Sequence, residues 1–193
     1  MYLPLFPKPF DGQISSEEFL STSKELVKIL DYFGKIFMTM KYDMQANIGI
    51  LTEKFNENQH RYYTLQKLIS VDKNSSNTTV SDALLWLGRS LHMVQTYFEY
   101  IVSDYESNKF IEDQTANFTM AYKNTLEPYQ GYTAQQLFSL LMRTPPSRSQ
   151  IIKGLANGYD IDQAIIMRSI AKFSRRLKEN ICILKTLYNE HSL

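Results

Sequence analysis

Apolar residues recur every three or four positions along nearly the whole chain, the spacing of a helix with one buried face. Phe19, Leu26, Ile29, Leu30 and Phe33 follow this rule behind Ser15 or Ser16, either of which suits a helix cap, with Glu17 and Glu18 in the first turn. Gly34 then ends or bends that helix. A second helix is predicted over about 36–55, with Phe37, Met40, Met44, Ile48 and Leu51 on one face, and a shorter one over about 61–73. The polar run 74–79 reads as a loop whose last threonines are good caps for a long helix over about 80–104. Further helices are predicted near 115–127, 134–143, 149–156 and 160–188. Thr144-Pro145-Pro146-Ser147 breaks the pattern, and Asn157-Gly158 reads as a turn. No run alternates like a strand and no segment repeats. The expectation is an all-α fold of about eight helices in one domain, 1–193, with 1–14 as a non-helical arm.

Composition agrees with that picture. A chain of 193 residues with 44% hydrophobic residues suits one globular domain and is long enough to fold without a disulfide or a metal. A net charge of +1 excludes a strong overall field toward nucleic acid or an acidic membrane. The 13 Tyr and 11 Phe are expected mostly in the core. Cys182 is the one cysteine, so no intramolecular disulfide forms, which points to a reducing compartment. Its setting, Ile181-Cys182-Ile183-Leu184, predicts a buried, inert thiol. The first ten residues are interrupted by Pro4, Pro7, Lys8 and Pro9, so they lack the apolar stretch of a signal peptide. No run approaches the ~20 apolar residues of a membrane span. A cytoplasmic address follows as an expectation.

Catalytic signatures are missing. There is no HExxH, GxSxG, P-loop or GxGxxG, and His60, His92 and His191 are scattered, so neither a catalytic residue, a metal nor a cofactor is expected. The basic cluster Ser174-Arg175-Arg176-Leu177-Lys178 reads as a solvated helix face, and no nucleic-acid partner is expected. Polar residues inside the apolar pattern are more informative. Asp43 and Asn47 lie four apart and project from one helical face, and Trp86, Arg89 and His92 follow at three-residue steps. Brought together, these groups suit a sugar stacked on the indole with its hydroxyls bonded to side chains. An Asp43–Arg89 ion pair beside a core tryptophan remains the alternative.

The segment Lys41-Tyr42-Asp43-Met44-Gln45-Ala46-Asn47-Ile48 resembles the K-x-D-[IM]-x-x-N-[IL] pattern of glycolipid transfer proteins. Ala83-Leu84-Leu85-Trp86-Leu87-Gly88-Arg89-Ser90-Leu91 is similar to that family's A-L-x-W-L-K-R-x-L. Tyr63-Thr64-Leu65-Gln66-Lys67-Leu68 resembles its T-L-Q helix, and Ala121-Tyr122 through Tyr129-Gln130-Gly131-Tyr132 its A-Y…L…Y-H-x-W. Pro145-Pro146-Ser147-Arg148 stands where members have proline followed by a basic residue. These matches keep the family's order from about residue 19 to 160.

The resemblance implies a two-layer helical sandwich that holds one sphingolipid, with its headgroup on a surface site and its chains in an apolar pocket. It makes Asp43 the acceptor from the ceramide amide and a sugar hydroxyl, Asn47 a second sugar contact, Trp86 the stacking plate and Arg89 a supporting basic group. Gln130 stands in place of a ceramide-binding histidine, and its NH₂ can still donate to a carbonyl. Leu30, Phe33, Phe37, Leu84, Met93, Phe138 and Leu141 are the expected pocket, with Met38, Met40 and Met44 adapting to different chains. Tyr132, in place of a tryptophan that enters the membrane, and Pro145 are the expected docking edge. Ile50 replaces a basic residue and Gly88 a lysine. Relatives that bind phosphate headgroups tend to carry lysine at the position of Asn47, so a sugar is favoured. The implied function is a monomeric carrier that moves a simple glycosylceramide between membranes through transient surface contact. A ceramide phosphate carrier and a lipid-dependent sensor or scaffold are the alternatives.

Overall fold

The computed structural model describes residues 3–33, 35–70, 78–143, 145–157 and 159–191, with backbone alone at 32, 33, 35, 36, 190 and 191. Among the described residues there are eight α-helices and no β-strand. They are α1 (Ser16–Ile29), α2 (Lys35–Glu57), α3 (Leu65–Ile69), α4 (Thr79–Glu106), α5 (Thr115–Thr125), α6 (Tyr132–Leu141), α7 (Arg148–Ala156) and α8 (Gln163–His191). Short 3₁₀ turns, Leu30–Phe33 and Glu127–Tyr129, continue α1 and follow α5. The all-α fold expected from the apolar spacing is the fold observed. Gly34, Thr144, Gly158 and residues 74–77 lie outside the described residues, while Pro145-Pro146-Ser147 fall between α6 and α7 and Asn157 ends α7, as expected.

Local chemistry sets the helix ends. Ser15 caps α1 by accepting from the Glu18 N–H at 3.3 Å. Ser147 and Gln150 form a reciprocal capping box at α7, and Asn157 closes that helix in the left-handed region at φ 52°. Thr78 does not cap α4, because its hydroxyl is bonded to the Asp82 carboxylate at 2.6 Å. Helix α3 begins later than its periodicity suggests. The N-terminal arm claims the backbone before it: Ser16 N–H donates to Tyr63 O at 3.0 Å and Leu65 N–H donates to Ile14 O at 2.9 Å. The arm is anchored at its other end by Asn180, whose amide donates to Pro7 O at 2.9 Å, and by Phe6 packed on Phe19 and Phe173.

Helix α4 is the central element of the two-layer sandwich and packs against α2, α5 and α8. Its buried face presents Leu84, Leu87, Leu91, Val94, Tyr97, Phe98 and Ile101, recurring at helical spacing. Tyr97 stacks on Phe118 of α5 at 3.8 Å between ring centres, and Phe37 of α2 meets Phe118 edge-on at 5.2 Å. Two features depart from the expectation. The tyrosines are not mainly core: Tyr62, Tyr97, Tyr122 and Tyr188 are buried, while Tyr42, Tyr63, Tyr129, Tyr132 and Tyr159 are exposed. Their phenols tolerate water, so surface positions leave no polar group stranded. Cys182 is also exposed. Ile181 and Leu184 take the inward face of α8, and a residue turned ~100° from Ile181 falls on the solvent side.

Candidate functional site

A cavity of about 480 Å³ opens between α2, α4, the 126–131 segment and α6. Asp43 and Asn47 come to it from α2, Trp86 and Ser90 from α4, and Tyr129 and Gln130 from the turn after α5. Four-residue spacing keeps the α2 pair on one face, and Asn47 donates its amide to the Asp43 backbone carbonyl at 2.9 Å. The Asp43 carboxylate has no hydrogen-bond or ion-pair partner among the described residues. Partial burial raises its pKa above the ordinary value. Trp86 is 36% exposed, so one face of the indole is open to a ligand. Met40, Leu126, Ala134 and Phe138 make the apolar wall.

Gln130 is held in one orientation. Its side-chain oxygen accepts from the Tyr122 hydroxyl at 2.8 Å, and its backbone carbonyl accepts from the Gln135 amide at 2.9 Å. Tyr122 is fixed in turn by stacking on Phe138 at 3.8 Å and 7°. Burial pushes its hydroxyl up to about 12, so it stays protonated and donating. With the oxygen of Gln130 engaged, its NH₂ is the end left to donate.

Arg89 does not pair with Asp43. Its guanidinium lies 3.8 Å from the Tyr129 ring centre and 4.8 Å from that of Trp86, a cation–π arrangement on two aromatics. Burial is the main influence on its pKa and lowers it. Arg89 and His92 line a neighbouring cavity rather than the one that holds Asp43, Asn47, Trp86 and Gln130. A three-residue step falls about 60° short of a full helical turn, so the row Trp86–Arg89–His92 winds away from the first opening. Tyr129 is the cavity-lining residue that pattern reading missed. It sits in one of the quoted motifs, but no spacing rule places a 3₁₀ turn across from a residue forty positions earlier.

The expected pocket residues divide. Phe138 lines the cavity. Leu30, Phe37, Leu84 and Met93 are buried in the interior behind it, Leu141 is half-buried against the core, and the Phe33 side chain lies outside the described residues. Met40 lines the cavity, Met44 is buried and Met38 is exposed. Ile50 packs against the core edge. Tyr132 is 76% exposed and Pro145 is half-buried.

The family model for Glycolipid transfer protein (GLTP) matches residues 14–157, which contain every group at the first cavity. The chain belongs to the glycolipid transfer protein family. Glycolipid transfer protein of Xenopus tropicalis is 25% identical over 190 residues, covering 95% of this chain and 91% of that protein. Pleckstrin homology domain-containing family A member 8 of Homo sapiens is 28% identical over 95% of this chain, which spans only 36% of that longer relative. Among solved structures, one describing how FAPP2 selects simple glycosphingolipids using the GLTP-fold superposes with TM-score 0.85 at 24% identity, covering 97% of this chain and 91% of that one. Mouse ceramide-1-phosphate transfer protein in its apo form superposes at 0.82 with 19% identity, covering 95% and 91%. These superpositions establish the shared fold.

Proposed function

We propose that residues 1–193 act as one unit that binds a single sphingolipid, preferably a simple glycosylceramide, and carries it between membranes. The observation that carries this reading is the Asp43 carboxylate, without a partner among the described residues, beside the half-open face of Trp86 at the mouth of a cavity with an apolar wall. A sugar ring meets both needs: its apolar face stacks on the indole and its hydroxyls donate to the carboxylate. The Gln130 NH₂ is placed to donate to the ceramide carbonyl. An ionised phosphate in the same place would lie against Asp43, with Asn47 offering only a neutral amide, so a neutral headgroup is favoured.

The lipid chains continue past Met40 and Phe138 toward Phe37, Leu84 and Met93. A cavity of about 480 Å³ lies within the usual ~300–1,000 Å³ range for small ligands. Two long chains require the aromatic interior to part further. The driving force is large, since each CH₂ removed from water is worth ~0.8 kcal/mol. Docking is assigned to α6, which carries no charged residue and exposes Tyr132, Leu137 and Leu140, with Pro145 beyond it. No helix among the described residues is long and apolar enough to cross a membrane. Brief contact from the cytoplasm fits this surface.

Transfer of fluorescent glucosylceramide between donor and acceptor vesicles tests the proposal. Trp86→Ala and Asp43→Val are each expected to lower transfer about tenfold or more, the effect of losing a charge-assisted hydrogen bond or a stacking plate. Undiminished transfer in both folded variants would falsify it. Ceramide phosphate competing better than glucosylceramide would replace the preferred ligand.

A further inference from the structure

A second cavity of about 400 Å³ shares Tyr129 with the first and is otherwise walled by different residues, among them Arg89, His92, Asn124, Thr125 and Lys185. Its charge is one-sided. Arg89 and Lys185 bring two cations, and no Asp or Glu is among the described residues lining it. Glu99, the carboxylate closest to His92 in its influence, is bonded to Lys178 at 2.7 Å and to Gln95 at 2.9 Å. The Lys185 ammonium is directed at His92, 3.2 Å from Nε2, so the ring accepts there and is neutral. Arg89 rests over the Tyr129 and Trp86 rings, and no acceptor meets its N–H groups among the described residues.

We infer that this second cavity is an oxyanion subsite, which takes a sulfate- or phosphate-type group between the N–H groups of Arg89 and the ammonium of Lys185. A planar guanidinium presents paired donors that match two oxygens of such a group, and an ammonium supplies a second point charge. Tyr129 lines both cavities, and Arg89 rests on its ring and on that of Trp86. A headgroup stacked on Trp86 therefore reaches the subsite with a charged substituent while its neutral ring stays beside Asp43. This places the anion away from the carboxylate that disfavours it in the first cavity. For an anion carried on a lipid, the inference rests on the carrier reading above. A free inorganic anion offers the same chemistry without it.

The experiment has two arms. In the first, the His92 ring is followed by NMR across pH while sodium sulfate replaces sodium chloride at constant ionic strength. An anion beside Lys185 stabilises the imidazolium, so the His92 titration midpoint moves up from about 4 in the wild type and does not move in Lys185→Gln. In the second, vesicles of phosphatidylcholine containing equal sulfated and unsulfated galactosylceramide are incubated with the protein, and the extracted lipid is quantified. The wild type is expected to extract the sulfated lipid alongside the neutral one, and Lys185→Gln to lower the sulfated-to-neutral ratio about tenfold. A response in both arms supports a lipid-borne anion, and a response in the NMR arm alone supports the subsite with a free anion as its ligand. No response in either arm overturns the subsite. If neutral galactosylceramide is still extracted in that case, the carrier reading stands while this one falls. Loss of all extraction removes the carrier reading instead.

Discussion

The hydroxyl of Tyr188 occupies the space that a Cβ at position 88 would need, and from there it donates to the Leu84 carbonyl at 2.8 Å. Gly88 is therefore a packing requirement between α4 and α8. A side chain there would collide with a ring that is buried and held by its own hydrogen bond, so the ring has little room to yield.

This contact predicts the outcome of a double-mutant cycle. Gly88→Ala gains about 1 kcal/mol of helix propensity but overpacks the interface at a cost of about 1–3 kcal/mol, so it is expected to be net destabilising. Tyr188→Phe loses a hydrogen bond worth about 0.5–1.5 kcal/mol. In the double variant the clash is gone and the propensity gain remains, so it is expected to be more stable than the sum of the two single losses. Urea unfolding of the four proteins gives the coupling. Strict additivity would show that the two residues do not meet.

The same contact shows what pattern reading reaches. Asp43 and Asn47 were legible because four-residue spacing is a local rule, and the order of the motifs brought in Trp86 and Gln130. The absence of lysine at Gly88 stood out as a departure from the family pattern, yet its cause is a tyrosine a hundred residues later. Arg89 follows Trp86 by a three-residue step, and the helix carries it round its axis to the neighbouring cavity, where it still rests on the Trp86 and Tyr129 rings. The late start of α3 and the exposed Cys182 have the same kind of origin. Pairing with the N-terminal arm decides one and the amphipathic face of α8 the other, and neither is a property of the local run.

Asp43 predicts a trade between stability and function. Burial raises its folded pKa, so the folded protein holds that proton more tightly than the unfolded chain does. Stability therefore falls as pH rises from the unfolded value of 3.8 through the raised folded value, and stays lower at neutral pH. Asp43→Asn carries no such ionisation. It is expected to melt at a higher temperature than the wild type at pH 7, with the gap closing toward pH 3.8, while glucosylceramide transfer drops. A lower melting temperature for Asp43→Asn at pH 7 would mean that the carboxylate has a stabilising partner.

His92 works in the opposite direction. Burial first, and then Lys185, lower its pKa from 6.5 to about 4, so the folded state excludes a proton that the unfolded chain accepts. The stability this contributes is present above 6.5 and is lost as pH falls toward 4. Between pH 7 and pH 5 the wild type is expected to lose roughly 1 kcal/mol more than His92→Gln, once solvent screening of a half-exposed ring is allowed for. Urea midpoints of both proteins at the two pH values make the comparison. Parallel losses would assign the acid sensitivity to other groups.

Docking through α6 separates binding from transfer. Tyr132 is 76% exposed and Leu140 58%, on a helix with no charge to hold it in water. Burying a side chain of this size completely is worth about 1.5–3 kcal/mol, and shallow insertion into a headgroup layer recovers part of that. Tyr132→Ser combined with Leu140→Ser is therefore expected to slow transfer between vesicles about tenfold. Neither residue lines the first cavity, so the amount of glucosylceramide bound at equilibrium should stay unchanged. Pro145→Ala should have a smaller effect, because that ring is already half-buried against the protein. Native mass spectrometry of the loaded protein gives occupancy, and vesicle fluorescence gives the rate. If the rate and the occupancy fall together, α6 supports the binding site, and the membrane meets the protein elsewhere.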